Sequence, residues 1–266
     1  MSLKEYSRDY LNLMQHVFDN NHILNVSTIT YICDLNVNEI DLKTFIETFE
    51  TKQQNTKYSK INMKPIPVHK KFEISKRGKI KKTFFNQITL NFEDINKKSI
   101  KIFSNGKLQL TGLTSLFECK NVSSFILDLL KFILPENDNI NIDNGYIAMI
   151  NSNFSVAFNI DLYNFNKILQ KQKNCFSVYN PESYPAINFK IHINTERCLS
   201  VFIFGTGNIV ITGSKTLSEM TIAYKYVTDL LKHNDVSKST EYVPKKVRDE
   251  PYLNGYNIRQ YMSCLV

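Results

Sequence analysis

The residue types that carry most enzyme chemistry occur in this chain of 266 residues, but they are scattered. Its five histidines (His16, His22, His69, His192, His233) and five cysteines (Cys33, Cys119, Cys175, Cys198, Cys264) fall in unrelated contexts. No C-x-x-C pair sets thiolates at metal-ligand spacing, and no H-E-x-x-H, G-x-S-x-G or G-x-x-x-x-G-K-[ST] stretch occurs. Gly205-Thr-Gly207 leads into Val210 and a strand-like run, not into a third glycine and a helix, so it is no dinucleotide loop. The expectation is a chain that binds without catalysing, with no metal or cofactor. What it offers for recognition is charge and aromatic surface. Its 33 Lys and Arg against 25 Asp and Glu give a formal net charge of +8, which suits an anionic partner such as nucleic acid.

The elements that must position such a surface are written twice. Shifting the chain by 101 positions pairs Ser99 through Lys131 with Ser200 through Lys232 without a gap, and 12 of the 33 pairs are identical. Among them are Phe103/Phe204, Gly106/Gly207, Thr111/Thr212 and Gly112/Gly213. Each copy reads as strand, glycine turn, strand, helix, because alternation at period 2 gives way to period 3.6. In the first copy Ile100, Ile102, Leu108 and Leu110 share one face, while Ser99, Lys101, Phe103, Gln109 and Thr111 share the other. In the second, Val201, Ile203, Ile209 and Ile211 oppose Ser200, Phe202, Phe204, Val210 and Thr212. The following helices carry apolar stripes, Val122, Phe125, Ile126, Leu129, Leu130 and Ile133 in one and Ala223, Tyr226, Val227, Leu230 and Leu231 in the other. Such helices cover the aliphatic faces. The other faces then stay open with Phe103 and Phe204 on them as an interaction surface, or else receive a second core layer.

Ile102-Phe-Ser-Asn-Gly-Lys-Leu-Gln-Leu-Thr-Gly112 and Ile203-Phe-Gly-Thr-Gly-Asn-Ile-Val-Ile-Thr-Gly-Ser-Lys215 resemble the paired I-F-x-S-G-K-x-x-x-T-G-A-K motif of TATA-box-binding proteins. Ile23-Leu-Asn-Val-Ser-Thr-Ile29 is similar to that family's opening strand, Val156-Ala-Phe-Asn-Ile160 to its V-K-F-P-I, and Val178-Tyr-Asn-Pro-Glu-Ser-Tyr-Pro-Ala186 to its S-Y-E-P-E-L-F-P-G. The likeness runs from about residue 20 to 233. It implies an α+β fold: a pseudo-twofold saddle of two repeats, with a curved antiparallel sheet on the DNA minor groove and helices on the convex side. By position, the wedges that unstack base steps would be Phe103 with Phe85 (or Phe84, if the match slips by one) and Tyr184 with Phe204. The concave face would comprise Asn25, Ser27, Lys101, Gln109, Thr111, Met149, Asn151, Phe202, Val210 and Thr212. Lys82, Lys107 and Lys215 would meet phosphates, and Glu182 a IIB-type initiation factor. The chain also departs from the family: Met149 stands in place of a second central asparagine, Lys101 and Gln109 in place of aliphatic residues, Tyr184 in place of phenylalanine, and Thr114 in place of lysine.

The organisation expected is an N-terminal helix at 1–20, a first repeat at 21–134, a second at 140–233 and a tail at 234–266. The first repeat carries a basic insert at about 51–82, where ten Lys and Arg77 face a single acid, Glu73. This insert is either an arm that reaches flanking phosphates or a solvated loop with no partner. The resemblance implies a general initiation factor that bends A·T-rich promoter DNA and recruits a IIB-type factor and RNA polymerase. The alternative is a protein-interaction module that keeps the fold and has given up specific DNA binding. No apolar run reaches the roughly 18 residues of a membrane span, so an intracellular chain is expected, acting in a nucleus or at a viral replication site in host cytoplasm. Heavy use of Asn, Ile and Lys fits an A·T-rich genome such as that of a protist or a large DNA virus.

Overall fold

The computed structural model describes residues 24–54, 56–64, 73–74, 80–81, 86–93, 97–137, 139–173, 175–237, 252–253 and 256–257. The expected helix at 1–20, Lys82, Phe84, Phe85, most of the basic insert and most of the tail lie outside the described residues. In chain order the elements are β1 (Asn25–Leu35), α1 (Leu42–Lys52), β2 (Asn62–Lys64), β3 (Glu73–Ile74), β4 (Ile80–Lys81), β5 (Gln87–Glu93), β6 (Lys97–Phe103), β7 (Lys107–Leu113) and α2 (Leu116–Ile133). They continue as β8 (Ile142–Ser155), α3 (Leu162–Gln170), β9 (Cys175–Val178), β10 (Ala186–His192), β11 (Cys198–Phe204), β12 (Asn208–Ser214), α4 (Leu217–His233), β13 (Tyr252–Leu253) and β14 (Tyr256–Asn257). None of the described helices is long and apolar enough to cross a membrane.

Two compact units result, one of Thr30–Ala148 and one of Met149–Val266 with the chain's start through Ile29. In the first, the strand order is β2–β5–β6–β7 followed by the Thr30–Leu35 part of β1; in the second, the Met149–Ser155 part of β8 is followed by β12–β11–β10–β9, and the Asn25–Ile29 part of β1 belongs with it. The pairings β2–β5–β6–β7 and β8–β12–β11–β10–β9 are antiparallel throughout. The alternation expected from sequence is the one observed. Ile100, Ile102, Leu108 and Leu110 are fully buried, as are Val201, Ile203, Ile209 and Ile211, while Ser99, Lys101, Phe103, Gln109 and Thr111 and their second-copy counterparts stay half-buried. Burying these aliphatic side chains contributes roughly 1.5–3 kcal/mol each and fixes the register, since a slip of one residue would turn every one of them outward.

The hairpin turns demand glycine. Gly106 has φ +76° and Gly207 +79°, and a Cβ on either would lie 2.4 Å from a backbone oxygen, that of Val37 or Phe158. Each turn closes on the preceding phenylalanine: the Gly106 amide donates to the Phe103 carbonyl at 3.1 Å, and the Gly207 amide to that of Phe204 at 3.0 Å. The helices start alike in both copies. Asp41 and Asp161 cap α1 and α3, while Ser115 and Thr216 cap α2 and α4 by accepting from the amides of Glu118 and Glu219.

Packing corrects the expected helix stripes in three places. Phe125, Tyr226 and Leu230 are only half-buried, and Tyr224 fills the core of the second unit with its ring edge-on to Phe154 at 4.8 Å. Tyr226 keeps its hydroxyl near the surface, within 3.6 Å of the Cys175 thiol and 3.4 Å of Gln172. Phe125 is held by Tyr58, whose buried ring lies 5.4 Å from it and 5.3 Å from Phe132. The start of the basic insert is therefore docked on α2. Lys57 reaches Asp128 at 3.7 Å, the Lys52 ammonium donates to the Phe132 carbonyl at 3.4 Å, and β2 adds a strand beside β5. Further on, β3 pairs antiparallel with β4, and in the tail β13 pairs antiparallel with β14.

A buried charge separates the two copies. The Lys98 side chain is wholly inaccessible and lies on the aliphatic side of β6, with its ammonium 2.6 Å from Glu118. The position 101 residues later is Leu199, fully buried. Glu219, the counterpart of Glu118, is instead paired with Arg197 at 2.5 Å. Burial alone would raise the Glu219 pKa, but the Arg197 hydrogen bond and the Lys215 amide outweigh it and leave the carboxyl below its ordinary value of 4.5.

Candidate nucleic-acid interface

In the first unit the face opposite the helices is built in cross-strand rows. Gln87 lies opposite Phe103, Thr89 opposite Lys101 and Asn91 opposite Ser99; Lys101 in turn pairs with Gln109 and Ser99 with Thr111. Lys101, Phe103, Ser99, Gln109 and Thr111 are all half-buried. The Thr111 hydroxyl donates to the Ser99 carbonyl at 3.0 Å, so it is anchored to the sheet. Phe103 ends β6 directly before the turn, and it is the one aromatic in these rows.

In the second unit the equivalent rows are far more apolar. Ala186 faces Phe204; Val178, Asn188, Phe202, Val210 and Asn153 form one continuous row, and Phe176, Lys190, Ser200 and Thr212 form the next. Tyr184 is 47% exposed and stands over this surface, with its ring 5.8 Å from Phe202 and 6.1 Å from Phe204 in edge-on geometry. Its loop is held by Asn180, whose carbonyl accepts from the amides of Ser183 and Tyr184 and whose side chain accepts from the amide of Glu182 at 3.2 Å. Pro185 then leads into β10. Tyr184 and Phe204, expected from sequence to act together, are thus neighbours, with Phe202 as a third member of the cluster. Glu182 is exposed on the same loop.

β8 supplies Met149, Asn151, Asn153 and Ser155, half-buried in alternation with Ile150, Ser152 and Phe154, which are buried. On β1, Asn25 is half-buried and Ser27 exposed, with Val26 inward between them. The Asn25 side-chain amide donates to Asn153 at 3.4 Å. Asn153 lies outside the set expected from sequence, where its parity with Asn151 is the one signal for it. The carbonyl oxygens of the Asn151 and Asn188 side chains are buried without a hydrogen-bond partner among the described residues. Of the basic residues expected at phosphates, Lys215 is exposed just beyond the end of β12, whereas Lys107 is paired with Asp34 at 2.5 Å. That hydrogen bond raises the Lys107 pKa and commits the ammonium to a neighbouring carboxylate. Lys82 and Phe85 lie outside the described residues.

Burial raises the Cys33 thiol to about 11 and the Cys119 thiol to about 12, which keeps both as inert core groups. Among the described residues, no group of three or more His, Cys, Asp or Glu is placed to hold a metal ion.

Comparisons with known proteins bear on this geometry. The family model described as "Transcription factor TFIID (or TATA-binding protein, TBP)" matches residues 146–234. A "TATA-box-binding protein-like" protein of Acanthamoeba polyphaga mimivirus is 30% identical over 258 residues, spanning 85% of this chain and 69% of the relative. "TATA-box-binding protein 2" of Entamoeba histolytica is 28% identical over 139 residues, spanning 52% of this chain and 60% of the relative. Among solved structures, Methanococcus jannaschii TBP superposes with a TM-score of 0.53 at 17% identity, covering 80% of this chain and 99% of that one. At that identity the likeness is one of fold, and it matches the antiparallel α+β architecture expected from the sequence.

Proposed function

The chain belongs to the TATA-box-binding protein family, and from its open sheet faces we propose that it is an initiation factor that binds promoter DNA in the minor groove and bends it. It is a transcription factor of the TBP-like kind; the finer reading rests on one observation above all. Tyr184 and Phe204 stand side by side on the face opposite the helices, the first exposed and the second half-buried, where a soluble protein with no partner would gain by burying them. Aromatic rings inserted between base steps unstack them, and the bend that results admits more contacts than a straight duplex allows. Phe103 provides the corresponding ring in the first unit. Asn25, Asn153 and Thr212 offer donors to the acceptor atoms that A·T pairs expose there. Lys215 and the basic insert add attraction to phosphates, while Glu182 on its exposed loop suits a basic patch on a IIB-type factor that in turn brings RNA polymerase.

The test is a titration of wild type and Phe204→Ala against an A·T-rich duplex, reading affinity by anisotropy and bend by energy transfer between the ends. Loss of a stacking wedge is expected to weaken binding by roughly tenfold or more and to relax the bend in the same samples. Full bending by Phe204→Ala would contradict the wedge role. A second reading, in which the face serves a protein partner, is favoured by the Lys101–Gln109 pair, which is polar where the second unit places Phe202 and Val210.

A further inference from the structure

The two open faces differ most at a place where their registers coincide. Lys101 lies opposite Gln109 across β6 and β7, and at the equivalent positions of β11 and β12 Phe202 lies opposite Val210. All four side chains are half-buried on the open side. In the minor groove, A·T and T·A present only the acceptors adenine N3 and thymine O2, whereas G·C adds the guanine N2 amino group, a donor. A phenylalanine and a valine pressed against that amino group remove it from water and give its N–H no acceptor, so they penalise G·C. A glutamine amide does the opposite: its oxygen accepts from guanine N2–H, while its NH2 group and the Lys101 ammonium donate to N3 and O2. Thr89, the other cross-strand neighbour of Lys101, adds a hydroxyl that can serve in either sense.

Resting on the minor-groove reading above, we infer that the half of the site under the first unit admits G·C pairs that the half under the second unit rejects, and that Gln109 is the residue that sets this difference. The preferred site is then asymmetric, A·T-only at one end and mixed at the other. That asymmetry orients the protein on a promoter without help from a partner.

The experiment uses the full chain and three duplexes that differ only within the bound site: all A·T, one G·C pair in the left half, and one G·C pair in the right half. Each affinity is expressed relative to the same protein's affinity for the all-A·T duplex. For wild type, G·C is expected to cost about tenfold or more in one half and under about threefold in the other. Gln109→Val should raise the smaller penalty to about the level of the larger. Val210→Gln should lower the larger one, a gain that a merely damaged protein would not show. Equal penalties in the two halves, or a ratio that neither variant moves, would overturn the inference while leaving the DNA reading intact. Failure to bind even the all-A·T duplex would overturn the DNA reading itself, and this inference with it.

Discussion

The strand pair β6–β7 and the strand pair β11–β12 share a register, a turn and a helix cap, yet they present opposite chemistry to the outside. Both close through a glycine at positive φ, Gly106 and Gly207, and both bury four aliphatic side chains toward a helix capped by Ser115 or Thr216. On the open side, one offers Lys101 and Gln109 and the other Phe202 and Val210. On the core side, one carries the buried Lys98 and the other Leu199. The lesson is that turn glycines, caps and inward aliphatics determine the frame, while on the open face Ser99/Ser200, Phe103/Phe204 and Thr111/Thr212 are kept in both copies and the chemistry changes at Lys101/Phe202 and Gln109/Val210. Recognition is therefore to be sought in the outward half of each strand, and stability in the inward half.

The largest effect expected from this contrast concerns stability. Glu118→Ala removes the carboxylate 2.6 Å from the buried Lys98 ammonium, and breaking such a buried pair costs about 3–5 kcal/mol. Glu219→Ala removes the same residue from the other copy, but its partner Arg197 is 29% exposed and can turn to water, so about 1–2 kcal/mol is expected. Urea unfolding of both variants checks this, and equal losses would show that the Lys98 site is not special. Lys98→Leu combined with Glu118→Met, which makes the first copy's core apolar, should recover most of the deficit.

Next in size is the contrast between the wedges. Phe103→Ala and Phe204→Ala should each remove the kink at one end of the bound duplex, at about 1–3 kcal/mol of binding per stacked base. Because the two rings belong to separate units, the double variant should show the sum of the two losses. A single substitution that straightens both ends would break the picture of two separate kinks.

Smaller still is an acid-side difference. Because the Glu219 carboxyl has a native pKa below its ordinary 4.5, the folded state holds fewer protons than the unfolded state in that range. Its contribution to stability is complete above pH 4.5 and declines as pH falls through the lowered native value. Glu219→Gln should flatten that part of the stability curve, as read by urea midpoints from neutral pH down to about pH 3. An unchanged acid limb would show that the Arg197 pairing does not hold in solution.

The smallest effect tests the insert. Converting Lys70, Lys71, Lys76 and Lys79 to Gln should reduce the slope of log affinity against log salt by about 0.9 for each phosphate no longer neutralised. An unaltered slope would mean that these lysines do not meet DNA.

Most of the frame could be read from the chain alone, since period-2 alternation with a 101-residue offset says which side chains face in and which face out. What escaped that reading is informative. Lys98 looks like a polar strand end until Glu118 is found beneath it, an ion pair that no local pattern announces. Tyr58 sits in a run of lysines that reads as a solvated arm, but its ring is the piece that seals Phe125 and Phe132 on α2. Tyr224 and Tyr226 lie two positions apart on one helix; Tyr224 enters the core edge-on to Phe154, on the buried face with Met220, Ala223 and Val227, while Tyr226 stays half-buried and stacks on Phe189. Asn153 gained its role from Asn25, 128 residues earlier, across strands that no short-range signal pairs. The candidate wedges Phe103, Tyr184 and Phe204 were legible because a family motif carries them, and Phe202 as a third ring of that cluster became visible only once Tyr184 was seen standing over it.

The central claim is that these open faces bend DNA from its minor groove. The most direct test is energy transfer between dyes on the two ends of a short duplex, A·T-rich against G·C-rich, titrated with the purified protein at two salt concentrations. Tight, salt-sensitive binding to the A·T-rich duplex with a clear shortening of the end-to-end distance is the predicted result. Binding that leaves that distance unchanged, or no preference for the A·T-rich duplex, would contradict it.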